Sequence, residues 1–281
     1  MLQDQTLDAA RDAVPAPANF GLKDEIRAYW SRRAETFDLS YAHRIRSTGE
    51  FDAWARLIAS HAPLRPGDRV LELASGTGEV TRVLLGFGCS VDALDLCEPM
   101  IDRARAKHRG SAVRFHLGDA ENTMMPDARY DLVICRNLVW TLVDPQAALA
   151  DWLRVLKPGG ALVVIDGDWV NCSRRTRLLQ RLSGWVDRLV AAPRLWDEAA
   201  HQRIMRGVFF RDGLRAPALA AMASAAGFDA VRTGPLTGIR RHQLAAASWS
   251  ERLRLLATYD DTFILSARKP TPTSKRPGAS A

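Results

Sequence analysis

Val70-Leu71-Glu72-Leu73-Ala74-Ser75-Gly76-Thr77-Gly78-Glu79 decides the fold of this 281-residue chain. The apolar residues at its start read as a short buried strand over 69–73. The five small residues at 74–78 read as a turn, and a helical segment follows over 79–86. Small residues between a strand and a helix let the backbone approach a ligand at the carboxyl edge of a parallel sheet, where open α/β folds bind theirs. An ordinary strand-to-helix turn is satisfied by the same residues, so the reading depends on what surrounds them.

Working outward, Pro66-Gly67-Asp68 is a turn that starts a strand-then-helix rhythm. Further strands are read at 90–94, 113–117, 130–135 and 161–166, with a helix at 98–107. Another helix carries Ala147, Leu149, Trp152, Leu153 and Leu156, and Lys157-Pro158-Gly159-Gly160 stops it. A helix over 217–226, a strand over 230–233, one helix over 243–257 and a strand over 262–267 complete the pattern. The fold class is α/β, a doubly wound, mostly parallel seven-stranded sheet with helical cap insertions. The caps are read at about 167–214, where 174–190 and 196–206 look helical, and at 238–258, joined by two helices between Lys23 and His61. Residues 1–22 read as a flexible arm, 23–268 as the domain, and 269–281 (KPTPTSKRPGASA) as a disordered basic tail.

Composition narrows the function. Hydrophobic residues at 47% and charged residues at 25% are the proportions of a soluble globular protein. No apolar run reaches the ~18–20 residues of a membrane span, and the first residues contain no apolar run of a secretory signal, so the expected compartment is the cytoplasm. Cys89, Cys97, Cys135 and Cys172 are widely spaced with no histidine at ligand spacing, which predicts neither a metal site nor a disulfide framework. The net charge of +7 owes three charges to Lys269, Lys275 and Arg276 in the tail, and no nucleic-acid partner is expected.

Asp95, 19 residues after Gly76, stands at the tip of the second strand. A carboxylate there accepts hydrogen bonds from both hydroxyls of a ribose, which makes the ligand an adenosine. A dinucleotide site favours a small residue where this chain has Thr81, and Glu79 in the first helical turn would repel a pyrophosphate. Both features favour a ligand without phosphates.

With these residues in place, the sequence resembles the class I S-adenosylmethionine-dependent methyltransferases, especially the group that includes the ubiquinone/menaquinone biosynthesis methyltransferases. The resemblance covers roughly residues 23–166 and resumes at the last two strands. It rests on LELASGTGEVT, DALDLCEPMIDRAR, GDAEN, YDLVICRNLVW and LKPGGALVVID, in that order. It implies a Rossmann-like fold with S-adenosylmethionine as cofactor and a small-molecule acceptor. Glu72 and the backbone of Ala74, Gly76 and Gly78 would surround the amino-acid end of the cofactor. Asp95 would hold the ribose, Leu96 and Met100 would flank the adenine, and Asp119 with the Ala120 amide would address its edge. Cys135 and Arg136 would lie near the methionine part, and Tyr29 and Arg33 lie in a stretch that resembles an N-terminal segment closing over the cofactor in relatives.

Two departures bear on function. The usual acid-Leu-Gly-Cys-Gly appears as Glu72-Leu73-Ala74-Ser75-Gly76, and the Asn-Pro-Pro-aromatic sequence of enzymes acting on exocyclic or amide nitrogens is replaced by Cys135-Arg136-Asn137-Leu138. The second counts against nucleobase acceptors. Trp140 and His242 are the candidate substrate contacts, and aromatic residues in the caps suggest an apolar or aromatic acceptor. His43 and His116 are the other histidines weighed, His116 as a structural residue, and none is assigned as a base. A nicotinamide-dependent oxidoreductase and a non-catalytic binding module are the alternatives. The acceptor atom and the oligomeric state are open at this point.

Overall fold

The computed structural model describes residues 20–40, 42–171, 174–189, 197–257 and 262–272; residues 1–19, Cys172, Trp196 and 273–281 are among those outside this description. Helices α1 (Phe20–Arg33) and α2 (Thr48–His61) precede β1 (Arg69–Leu73), α3 (Glu79–Gly86), β2 (Ser90–Asp95), α4 (Glu98–Lys107) and β3 (Arg114–Leu117). Then come β4 (Tyr130–Arg136), α5 (Pro145–Val155), β5 (Leu156–Gly167), α6 (Arg174–Leu189), α7 (Glu198–Gly207) and α8 (Ala216–Ala225). The chain continues through β6 (Asp229–Pro235), α9 (Thr237–Ala246), α10 (Trp249–Ala257) and β7 (Thr262–Arg268).

The seven strands lie in the order β3-β2-β1-β4-β5-β7-β6. The first five pair in parallel, and β7 runs antiparallel to both β5 and β6. Strand order reverses between β1 and β4, so the crevice at their carboxyl ends is the switch point where such sheets bind ligands. Alternate side chains build two cores: Leu71, Leu73, Val133 and Cys135 pack against the Trp152 side. Val70, Leu132 and Ile134 pack against Trp54 and Ile58. Helices cover both faces, which is why these strands are continuous apolar runs.

The structure places several boundaries away from the sequence reading. The helix α5 ends at Val155, before Lys157, because Leu156 already pairs with Tyr130 in the sheet and the Pro-Gly-Gly segment forms the irregular start of β5. Gly159, at φ +77°, donates its amide to Lys269 O at 2.8 Å, and Lys269 Nζ donates to the carbonyls of Arg154 and Leu156. Lys269, the first residue of the expected tail, thus closes the end of α5. At the other end, α1 takes residues 20–22 from the arm.

The helix expected over 243–257 is two helices. Ser248 Oγ accepts from the Glu251 amide while Glu251 Oε2 accepts from the Ser248 amide at 2.8 Å, a reciprocal cap that starts α10 afresh. Arg252 Nε donates to the carbonyls of Leu244 and Ala247 at the end of α9. Beside this pair, Ser183 Oγ donates to Ser250 O at 3.1 Å and Thr176 Oγ1 to Ala257 O at 2.9 Å, which fastens α6 along α10. Among the described residues no helix is long and apolar enough to cross a membrane.

Candidate active site

Between β1 and α3 the backbone enters the left-handed region three times, at Ala74 (φ +49°), Gly76 (+54°) and Gly78 (+84°). That path turns the Gly76 amide toward β2, where it donates to Asp95 Oδ2 at 2.7 Å. Asp95 Oδ1 accepts from the Cys97 amide at 2.9 Å, so both carboxylate oxygens are held in place by backbone. Burial raises the Asp95 pKa above the ordinary value, against the pull of those amides. Glu72 is buried at the end of β1 and accepts from Thr81 Oγ1; burial pushes its carboxyl up to about 8, with Thr81 and Arg136 opposing.

A cavity of about 1640 Å³ opens above these strand ends. Of the residues expected from sequence, Glu72, Ala74, Gly76, Asp95, Leu96 and Met100 line it. So do Asp119, Ala120, Arg136 and Trp140. Four others are elsewhere. Tyr29, 2% exposed, is packed between the rings of Trp30 and His201. Cys135 precedes Arg136 on a strand and so points to the opposite face, into the core. Gly78 lies against α4: a Cβ there would come within 2.6 Å of His108 Nε2, and that nitrogen is 2.8 Å from Gly78 O. His242 packs against Gly49 of α2, behind the wall.

The wall comes from the helices. Lys23, Ile26, Trp30 and Arg33 recur at helical spacing on one face of α1 and all line the cavity. Lys23 Nζ bridges Asp119 Oδ2 (2.5 Å) and Glu121 Oε2 (2.7 Å), tying α1 over the strand ends. Burial disfavours its charge, but the two carboxylates outweigh burial and raise its pKa. A second tie forms where Lys107 Nζ meets Asp38 Oδ2 (2.6 Å), Glu79 Oε1 (2.8 Å) and Thr77 Oγ1 (2.9 Å). The Glu79 carboxylate is thus neutralised on the outer side of the turn, away from the cavity lining.

Trp30 stands edge-on to Phe37 (6.0 Å) and to Trp140 (6.2 Å), and His201 lies 5.5 Å from Trp140. Trp140 is fixed by its indole donation to Asn137 O at 3.1 Å, and Asp166 accepts from the Val139 amide at 2.8 Å beneath it. Burial pushes Asp166 up to about 7. His43 stacks on Phe37 at 4.2 Å, and burial, followed by Arg33 and Arg136, lowers its pKa to about 3. His116 reaches Asp92 Oδ1 at 2.8 Å in the sheet, the structural place expected of it. Arg136 Nη2 donates to His43 O at 2.7 Å. Arg136 Nη1, Arg33 Nε and Ser75 Oγ, buried atoms of cavity-lining residues, have no hydrogen-bond partner among the described residues.

Lys23, Phe37, Glu121 and His201 were not singled out from sequence. The spacing of Lys23 with Ile26, Trp30 and Arg33 was legible; the approach of His201, from an insertion far along the chain, was not.

Comparison with known proteins gives the chain's relatives in sequence and fold. The family described as "Methyltransferase domain" matches residues 71–164. The chain is 34% identical over 143 residues to demethylmenaquinone methyltransferase of Renibacterium salmoninarum, covering 51% of this chain and 59% of that protein. It is 29% identical over 170 residues to the ubiquinone/menaquinone biosynthesis C-methyltransferase of Shewanella piezotolerans (55% and 67%). It is 35% identical over 141 residues to the malonyl-[acyl-carrier protein] O-methyltransferase of Serratia marcescens (50% and 52%). The chain thus spans about half to two thirds of these relatives' length. Among solved structures, phosphoethanolamine N-methyltransferase 2 of Haemonchus contortus, in complex with phosphomonomethylethanolamine and S-adenosylhomocysteine, shares the fold at TM-score 0.60. It has 16% identity over 89% of this chain and 60% of that one. Residues 71–164 thus match a methyltransferase domain, and the fold around them is similar to that of a solved methyltransferase.

Proposed function

We propose that the chain transfers a methyl group from S-adenosylmethionine to a small-molecule acceptor with an apolar or aromatic body, in the cytoplasm and not on a nucleic acid. One observation carries this reading: a single cavity of about 1640 Å³ joins the acidic strand ends to the Trp30, Phe37 and Trp140 wall. That exceeds the roughly 300–1,000 Å³ that one drug-sized ligand occupies, so cofactor and acceptor fit together.

The residues present suit the cofactor. Glu72 matches its ammonium, and the unpartnered Arg33 Nε and Arg136 Nη1 match its carboxylate. Each Asp95 oxygen keeps a second lone pair for a ribose hydroxyl. Leu96 and Met100 offer apolar surface to the adenine, with Asp119 and the Ala120 amide at its edge. When bound, the cofactor supplies a sulfonium methyl for in-line displacement by an acceptor lone pair. The chain's contribution is to orient the acceptor against Trp30 and Trp140 and to exclude water. His43, neutral around pH 7, adds no cation beside the sulfonium.

The test is incubation of the purified chain with methyl-tritiated S-adenosylmethionine and a metabolite extract. Label should move into a compound extracted by organic solvent and insensitive to protease and nuclease. Label that stays on the cofactor, or enters RNA, overturns the reading.

A further inference from the structure

Ten large hydrophobic side chains are exposed among the described residues, and five of them belong to the α6–α10 pair. Thr176 and Ser183 face α10, bonded to Ala257 O and Ser250 O. Leu178 (58% exposed), Leu182 (44%) and Trp185 (61%) recur at four and three residues and share the outward side of α6. Next to them, Arg177 and Arg181 are exposed, line the cavity, and make no ion pair among the described residues. The helix RRTRLLQRLSGWVDRL has five arginines and a single acid, Asp187. Trp185 belongs both to this outward side and to the cavity lining, so the apolar stripe runs to the cavity mouth.

Leucine and tryptophan left in solvent beside arginine are the chemistry of a helix that lies in a membrane interface, apolar groups in the acyl boundary and guanidinium groups at the phosphates. An acidic protein would satisfy the arginines but gives no reason for the exposed Leu178, Leu182 and Trp185. We propose that α6 seats the mouth of the cavity on an anionic lipid surface. The docking stands independently of the acceptor reading above. Only its consequence, that an acceptor dissolved in the lipid enters beside Trp185, rests on that reading.

The experiment is flotation of the full chain with vesicles of phosphatidylcholine alone or with phosphatidylglycerol at about 30%, at low and raised salt. Retention is expected on the anionic vesicles at low salt, about tenfold weaker on phosphatidylcholine alone and at raised salt. Arg177→Glu with Arg181→Glu should abolish it. Leu178→Ser with Leu182→Ser, neither of which lines the cavity, should weaken it about tenfold. Calorimetric binding of S-adenosylhomocysteine by the leucine variant should equal that of the parent, which proves the variant folded. Failure of that ligand to bind the parent would count against the cofactor reading and leave the docking intact. The docking is overturned if the parent does not float with anionic vesicles at low salt, or if the leucine variant floats as well as the parent. It is also overturned if the parent ignores vesicles yet binds immobilised poly-glutamate, which would assign the patch to an acidic protein.

Discussion

Thr81 Oγ1 donates to Glu72 Oε2 across the turn between β1 and α3, with both residues buried. Thr81, which argues against a dinucleotide in the sequence, is in the structure the residue that orients the carboxyl proposed above to meet the cofactor's ammonium. Burial still dominates and holds Glu72 protonated until about pH 8. An ammonium bound at pH 7 has to displace that proton. Titrations with S-adenosylhomocysteine in phosphate and in Tris should therefore give heats that differ by the buffers' ionisation enthalpies, with affinity rising from pH 6 to 8. Glu72→Gln should abolish the difference and weaken binding about tenfold or more. Equal heats in both buffers would contradict the assignment.

The same carboxyl ties stability to pH. The folded state keeps its proton to about 8, while the unfolded chain releases it near the ordinary value of 4.5. Between those values the folded state binds more protons, so stability falls as pH rises, by up to about 1.4 kcal/mol per unit for one group. Asp166, held to about 7 against an ordinary 3.8, acts in the same direction over a lower window. Urea midpoints should decline from pH 5 to pH 8, and Glu72→Gln, which can still accept from Thr81, should decline less.

Ala74 occupies the position where the family pattern has glycine, and its φ of +49° shows the cost of that departure. A side chain in the left-handed region costs about 1–2 kcal/mol, and glycine loses about 0.5–1 kcal/mol through the freedom it adds to the unfolded chain. Ala74→Gly should thus stabilise the protein by about 0.5–1 kcal/mol, a rise in melting temperature of about 2 °C. An unchanged or lower melting temperature would show that the turn tolerates Ala74 without strain.

The parts legible in the sequence are those fixed by strands. Asp95 ends β2 and Gly76 lies in the turn after the adjacent β1, so both were legible as neighbours of the sheet's carboxyl edge; that the Gly76 amide bonds Asp95 was not. Arg136 ends β4, Trp140 follows it within a few residues, and Asp119 follows β3. Helical positions were less legible because phase depends on distant partners. Tyr29 turns under the wall because His201 of α7 packs on it, and His242 turns away because α9 lies on Gly49 of α2. Cys135 alternates with Arg136 along β4, so its side chain turns into the core while that of Arg136 lines the cavity. The Ser248-x-x-Glu251 cap was also written in the sequence, and its pattern would have divided the last helical segment.

Gly78 is required for two separable reasons, its φ of +84° and the His108 ring that a Cβ would strike at 2.6 Å. Gly78→Ala should destabilise by about 3 kcal/mol, the sum of left-handed strain and displacement of the ring. His108→Ala alone should cost about 1 kcal/mol by losing the bond to Gly78 O. Because the two residues touch, the costs should not add: with the ring gone, Gly78→Ala should retain only the backbone share, about 1–2 kcal/mol. Denaturant unfolding of the four proteins measures this coupling. Strict additivity would mean that α4 yields without cost and that the glycine serves the turn alone. Since neither side chain lines the cavity, affinity for S-adenosylhomocysteine should change little in His108→Ala, which separates the packing role of Gly78 from the contact first expected of it.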